Sequence, residues 1–166
     1  MNIADKLNEI KSKLEDLRKF KITVGVQDEE GTNRLGNKVS GSEMVDGSKL
    51  KYTDLARIHE YGAPKARIPE RKFIRSIKDS IGAQRDRKNK LNQLSAGYLS
   101  GDITLDEVYD ETGSFVVKQI VQNMGVGTAK LKDSTIKNRK KSTSDIPLVD
   151  TGALSNHVTY RRGDKN

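Results

Sequence analysis

The apolar residues of this chain change their spacing close to the N-terminus, and that change demands a mixed fold. Ile3, Leu7, Ile10, Leu14 and Leu17 recur at alternating four- and three-residue steps, with Lys, Glu, Asp and Arg between them. That is the period of an amphipathic helix. From Phe20 to Gln27 the period falls to two: Ile22, Val24 and Val26 share one face, and Lys21, Thr23 and Gly25 the other. This is the pattern of a half-buried strand. The helical stripe has to be covered. The plainer expectation is that it packs on the protein's own sheet, the sharper one that it meets a neighbouring subunit. It is too short to read as a coiled coil.

Further along, periodicity vanishes from Asp28 to Lys51, where Gly31, Gly36, Gly41 and Gly47 are spread through polar residues. A long mobile loop or an extended hairpin is expected there. Tyr52 to Tyr61 reads as a short helix stopped by Gly62, and Pro64 and Pro69 hold Ala63 to Glu70 extended. One longer helix is predicted from about Arg71 to Leu99, although Ala83 to Lys90 is nearly bare of apolar residues. Thr104 with Glu107 forms a capping box that opens a helix ending at Met124, with Gly125 just past it. A basic connecting segment spans 128–149, with a short helix capped by Asp133 or Ser134. Asp150 or Thr151 caps one turn through Leu154, and His157 to Arg161 alternates like a closing strand. The expected fold is therefore one α+β domain over residues 1–166: a small, mostly antiparallel sheet flanked by helices, with a long N-terminal helix and a long flexible loop.

Composition narrows the chemistry. The 166 residues carry 31 Lys+Arg against 23 Asp+Glu, a formal charge of +8, with two histidines and no cysteine. Disulfides, thiol nucleophiles and cysteine-based zinc sites are excluded. No apolar run reaches the roughly 18 residues of a membrane span, and Met1 to Lys6 has no apolar signal core. A protein made and kept in the cytoplasm, without membrane contact, is expected.

Several motifs invite a catalytic reading and fail it. Leu148-Val149-Asp150-Thr151-Gly152-Ala153 looks like an aspartic-protease loop, but too little chain follows Gly152 for a flap and cleft. Gly41 to Lys49 lacks the closing Gly-Lys-Ser/Thr of a phosphate loop. His59-Glu60 opens like a zinc helix, yet position 63 is Ala where the second His would stand. No enzyme activity, metal or cofactor is expected. Two basic clusters stand out: Arg71, Lys72, Arg75, Lys78, Arg85, Arg87, Lys88 and Lys90, and then Lys130, Lys132, Lys137, Arg139, Lys140 and Lys141. They suit phosphate contacts in a salt-sensitive manner, without any base-reading signature.

The most informative stretch is Leu55-Ala56-Arg57-Ile58-His59-Glu60-Tyr61-Gly62-Ala63-Pro64, followed by Arg67-Ile68-Pro69-Glu70-Arg71-Lys72-Phe73-Ile74-Arg75. It resembles the signature of the tail-completion (neck, or head–tail joining) proteins of long-tailed bacteriophages, similar to the Mu-like virion morphogenesis proteins. That family carries an Ala-x-Ile-His-Glu-Phe/Tyr-Gly helix and then Ile-Pro-Ala-Arg-Pro-Phe-Leu/Ile-Arg. Ile22 to Val26, Leu131 to Lys141 and Pro147 to Tyr160 are similar to its flanking segments, in the same order. Glu70 and Lys72 depart from its usual small residue and proline, and Asn156-His157 from its Ser-Ile. The resemblance implies a non-catalytic virion protein, assembled in the host cytoplasm into a homo-oligomeric ring, with a hexamer as the favoured count. Its partners would be a tail terminator or tail tube protein and a head-completion or connector protein. On this reading Arg67, Ile68, Glu70, Arg71 and Lys72 form the subunit or partner interface, with Arg67 and Arg71 carried out on an extended arm. Ile58, Phe73, Ile74 and Leu154 are core anchors. Arg75, Lys78, Arg85 and Lys88 form a charged interface or face genomic DNA in the channel. The alternative is a basic nucleic-acid-binding assembly or regulatory protein.

Overall fold

The computed structural model describes residues 2–126, 133–137 and 152–163. Its elements run in the order α1 (Ile3–Arg18), β1 (Ile22–Gly25), β2 (Gly31–Asn33), β3 (Lys38–Val39), α2 (Tyr52–Tyr61), a 3-10 turn (Pro64–Ala66), α3 (Arg75–Asp79), α4 (Ile81–Ser100), α5 (Leu105–Asn123), α6 (Asp133–Lys137), α7 (Ala153–Asn156) and β4 (Thr159–Arg162). The class is α+β, as the changing periods require. The four strands form one antiparallel sheet in the order β1-β4-β2-β3. The last strand thus lies between the first two, with Val24 and Thr32 both opposite Tyr160. None of the helices among the described residues is long and apolar enough to cross a membrane.

The glycine-rich stretch after β1 folds as a hairpin joined to the sheet, and Asn33 explains how. It is buried; its Oδ1 accepts from the backbone of Leu35 (2.9 Å) and Asn37 (3.1 Å), which shapes the turn. Its Nδ2 donates to the carbonyl of Asn156 (3.0 Å), which ties the hairpin to the C-terminal segment. Farther on, Glu43 reaches His157. That imidazole donates from Nδ1 to the Ala153 carbonyl (2.7 Å), holds Nε2 3.2 Å from Glu43 Oε2, and stacks on Tyr52. The backbone amide of Ser40 and then His157 hold the Glu43 carboxyl below its ordinary range.

The helix expected from Arg71 to Leu99 is two helices. Ser80, with ψ of 117°, ends α3 and caps α4, its side chain accepting from the Ala83 amide (3.2 Å). The break is stabilised from a distance: the guanidinium of Arg87 donates to the freed carbonyl of Ile77 (3.2 Å) and to Gln119 (3.2 Å). The capping box of Thr104 and Glu107 forms as expected. Gly152 occupies the N-cap of α7 without a side-chain cap; Asp150 and Thr151 lie outside the described residues, as does most of the second basic cluster.

The core lies where α5 crosses β1 and β4. Phe73, Val117, Ile120, Met124, Leu154, Val158 and Tyr160 are buried together, with Tyr52 and Ala56 of α2. Phe73, Ile74 and Leu154 are placed as expected. Ile58 is not: it is half-buried and outside this cluster, because Tyr52, Ala56 and Glu60 at four-residue steps define the inward face of α2. Helix and sheet lie close together at Gly113, where a Cβ would fall 2.2 Å from Cδ2 of Tyr160. Alanine in a helix interior normally gains about 1 kcal/mol over glycine. Here Gly113→Ala is expected to cost about 3 kcal/mol through overpacking, read as a lower urea midpoint. Unchanged or higher stability would show that the ring of Tyr160 is not wedged against α5.

Candidate functional site

The signature residues converge at the junction of α2 and α3. Gly62 ends α2 with φ of 74°, and a Cβ there would lie 2.9 Å from the Glu70 amide nitrogen. Both the backbone angle and the close approach require glycine. The chain then makes a closed loop. Ala63 N donates to the Ile68 carbonyl (2.9 Å) and Ile68 N to that of Ala63 (3.1 Å). Between them Pro64 opens the 3-10 turn, and Arg67 takes a left-handed conformation with φ of 54°. The exposed tip is thus a pinned hairpin-like loop and not an extended arm.

Glu60 holds its base. Its carboxylate, buried with 5% of the residue exposed, accepts from the amide of Ile74 (3.0 Å), the amide of Arg75 (2.8 Å) and Nε of Arg75 (3.1 Å). Arg75 Nη2 donates to the Glu60 carbonyl (2.8 Å). The N-terminus of α3, which has no cap from its own N-cap residue, is therefore capped by a side chain from α2. The Arg75 guanidinium also lies 4.4 Å over the ring of Tyr61 and 3.5 Å from Glu70.

Beside this pair, the Arg71 amide donates to the His59 carbonyl (2.7 Å), and Arg71 Nη1 lies 3.2 Å from His59 Nδ1. Guanidinium only donates, so Nδ1 accepts and the imidazole proton sits on Nε2. Burial and, less strongly, the neighbouring Arg71 charge lower the pKa of His59 to about 4.

This geometry corrects two expectations. Arg71 is buried, 7% exposed, and serves the inside of the junction instead of projecting to a partner. Arg75 belongs to the Glu60 clamp and not to a free charged face. Arg67, Glu70 and Lys72 are on the surface, Glu70 and Lys72 paired at 2.8 Å, and Ile68 is half-buried. The crowded basic run is also divided. Arg87 turns inward, Lys90 pairs with Glu111 (3.0 Å), and Lys78 lies on α3, leaving Arg85 and Lys88 exposed on one face of α4. Sequence reasoning met Glu60 in a broken zinc motif and within the family-like signature but gave it no role of its own; a carboxylate on the inward face of a short helix was the available signal.

Comparison of the chain with protein-family models, with curated proteins and with solved structures gives no match in any of the three. What the arrangement does physically is hold a short loop, tipped by Arg67, at a fixed angle to the core.

Glu60→Ala removes the cap of α3 and the tighter partner of Arg75, which keeps Glu70, with an expected loss of about 2–3 kcal/mol in chemical denaturation. Glu60→Gln keeps the shape and should retain part of that stability. A loss below about 0.5 kcal/mol for the alanine variant would mean that the clamp contributes little. The lowered pKa of His59 sets a pH dependence. The unfolded chain binds the extra proton more readily between the ordinary value near 6.5 and about 4, so stability falls as pH falls through that window. Its share is about 1–2 kcal/mol after solvent screening. His59→Gln should flatten the stability–pH curve by that amount; superimposable curves would contradict it.

Proposed function

We propose that this protein is a structural component of the neck of a long-tailed bacteriophage, completing the tail and joining it to the head connector as a homo-oligomeric ring. The observation that carries the reading is the use made of the family-like signature. Glu60 pairs with Arg75, His59 with Arg71, and Gly62 lies against the backbone of Glu70, so that together they pin a displayed loop to the body. That is the behaviour of an assembly protein, whose work is to present a surface of fixed geometry to neighbours. A hexamer remains the favoured count, with a tail terminator or tube protein and a head-completion protein as partners, and the virion as location. Arg67, Glu70 and Lys72 supply polar contacts of the kind that fix register at such interfaces.

A second reading, a nucleic-acid-binding assembly or regulatory protein, is favoured by the exposed pair Arg85 and Lys88. Within a ring the same pair would face DNA passing through the channel. The two readings separate in electron micrographs of lysates from a phage or prophage lacking this gene. Full-length tails beside DNA-filled heads, rescued in trans, support the neck reading. Intact particles overturn it and favour the second. Absent tails also overturn it, placing the protein earlier in tail building.

Arg67→Glu should leave the circular dichroism spectrum and denaturation midpoint unchanged, within about 0.5 kcal/mol, while rescue yields unjoined heads and tails. Normal infectious titres would remove Arg67 from the interface.

A further inference from the structure

The N-terminal helix meets the body through Lys13 and Asp16 and not through its apolar stripe. Tyr98 Oη of α4 donates to Asp16 (2.8 Å), Lys13 Nζ lies 5.7 Å over the Tyr98 ring, and Leu17 is half-buried. The apolar stripe is left outside: Ile3 is 86% exposed, Leu7 51%, Ile10 44% and Leu14 45%. The sheet of its own chain, the plainer expectation, does not cover it.

We infer that this stripe is a docking surface for a helix or groove of another protein whose apolar centre is edged by carboxylates. Charge decides the occupant. At helical spacing, Lys6 borders the stripe on one side and Lys11 and Arg18 on the other; Lys13, on the Lys6 side, is paired with Glu9 (2.8 Å) and packed over Tyr98. The acidic Asp5, Glu9 and Asp16 lie behind, and Glu15 lies beyond Arg18, with which it pairs. A second copy of α1, parallel or antiparallel, would set Lys and Arg against Lys and Arg along both edges. An acidic edge would instead complement both borders and leave no like charges opposed. Shape argues for protein over lipid. The stripe is a narrow seam of single aliphatic residues without an aromatic anchor, suited to one helix or groove and not to a bilayer surface. The inference does not depend on the neck reading, since it concerns the chemistry of the contact and not its place in a particle.

The test uses the full chain and a synthetic amphipathic helix of three heptads, Leu at its seam positions and Glu at its edges, with a Lys-edged version as control. Fluorescence anisotropy should show binding of the Glu-edged peptide at least about tenfold tighter than of the control. Raising salt from about 50 to about 300 mM should weaken it several-fold, as exposed charges are screened. Leu7→Asp with Leu14→Asp should abolish binding while circular dichroism stays unchanged. Lys6→Glu with Lys11→Glu, which keeps the apolar stripe, should narrow or reverse the preference. Equal binding of both peptides, or of neither, overturns the inference. So does self-association lost in the Leu7→Asp, Leu14→Asp variant, which would make a second copy the occupant. Capture by vesicles rich in phosphatidylserine, without peptide discrimination, would make it a membrane.

Discussion

The carboxylate of Glu60 is withdrawn from water, and the path of the chain from α2 to α3 depends on how it is satisfied. A buried carboxylate without partners would cost several kcal/mol. Here two backbone amides and a guanidinium fill it, and those donors can reach it only if the chain folds back after Gly62. The turn at Gly62, the closed loop through Arg67, the start of α3 and the burial of Phe73 are therefore linked. His59 and Arg71 fill the adjoining space, with Arg71 donating to an imidazole kept neutral by its surroundings. A basic, lightly apolar chain has limited core to spend on fixing a loop, and a polar junction of this kind fixes it with directional bonds.

The C-terminal strand has a comparable organising role. By entering between β1 and β2 it makes one sheet from segments far apart in sequence, and Tyr160 then seats against Gly113 of α5. Asn33 and Glu43 attach the intervening hairpin and loop to the turn before that strand through Asn156 and His157. Both residues are occupied in holding the segment between the strands.

Local signals were read well from the sequence and long-range ones were not. The stop at Gly62 and the capping box at Thr104 and Glu107 act within a few residues, so spacing alone revealed α2 and α5. The α+β class followed from the change of period between Leu17 and Ile22. The break at Ser80 was hidden because the apolar steps through Phe73, Ile77 and Ile81 continue across it; Ile81 proves 84% exposed, and the carbonyl of Ile77 freed at the break is met by Arg87, ten residues on. Arg71 and Arg75 read as surface charge because their acceptors, on His59 and Glu60, lie a dozen or more residues back. The outward turn of Ile3 to Leu14 was equally invisible, since periodicity defines a face without saying what meets it.

The central claim, that Glu60 clamps the signature loop to the core, is tested most directly by native-state hydrogen exchange read residue by residue. The amides of Ile74 and Arg75, bonded to Glu60, and that of Ile68, which closes the loop, should exchange only through global unfolding, with opening free energies equal to those of Val117 and Ile120 in α5. Exchange at Ile74, Arg75 and Ile68 through low-energy local openings, as fast as at the exposed turn around Gly36, would contradict the account.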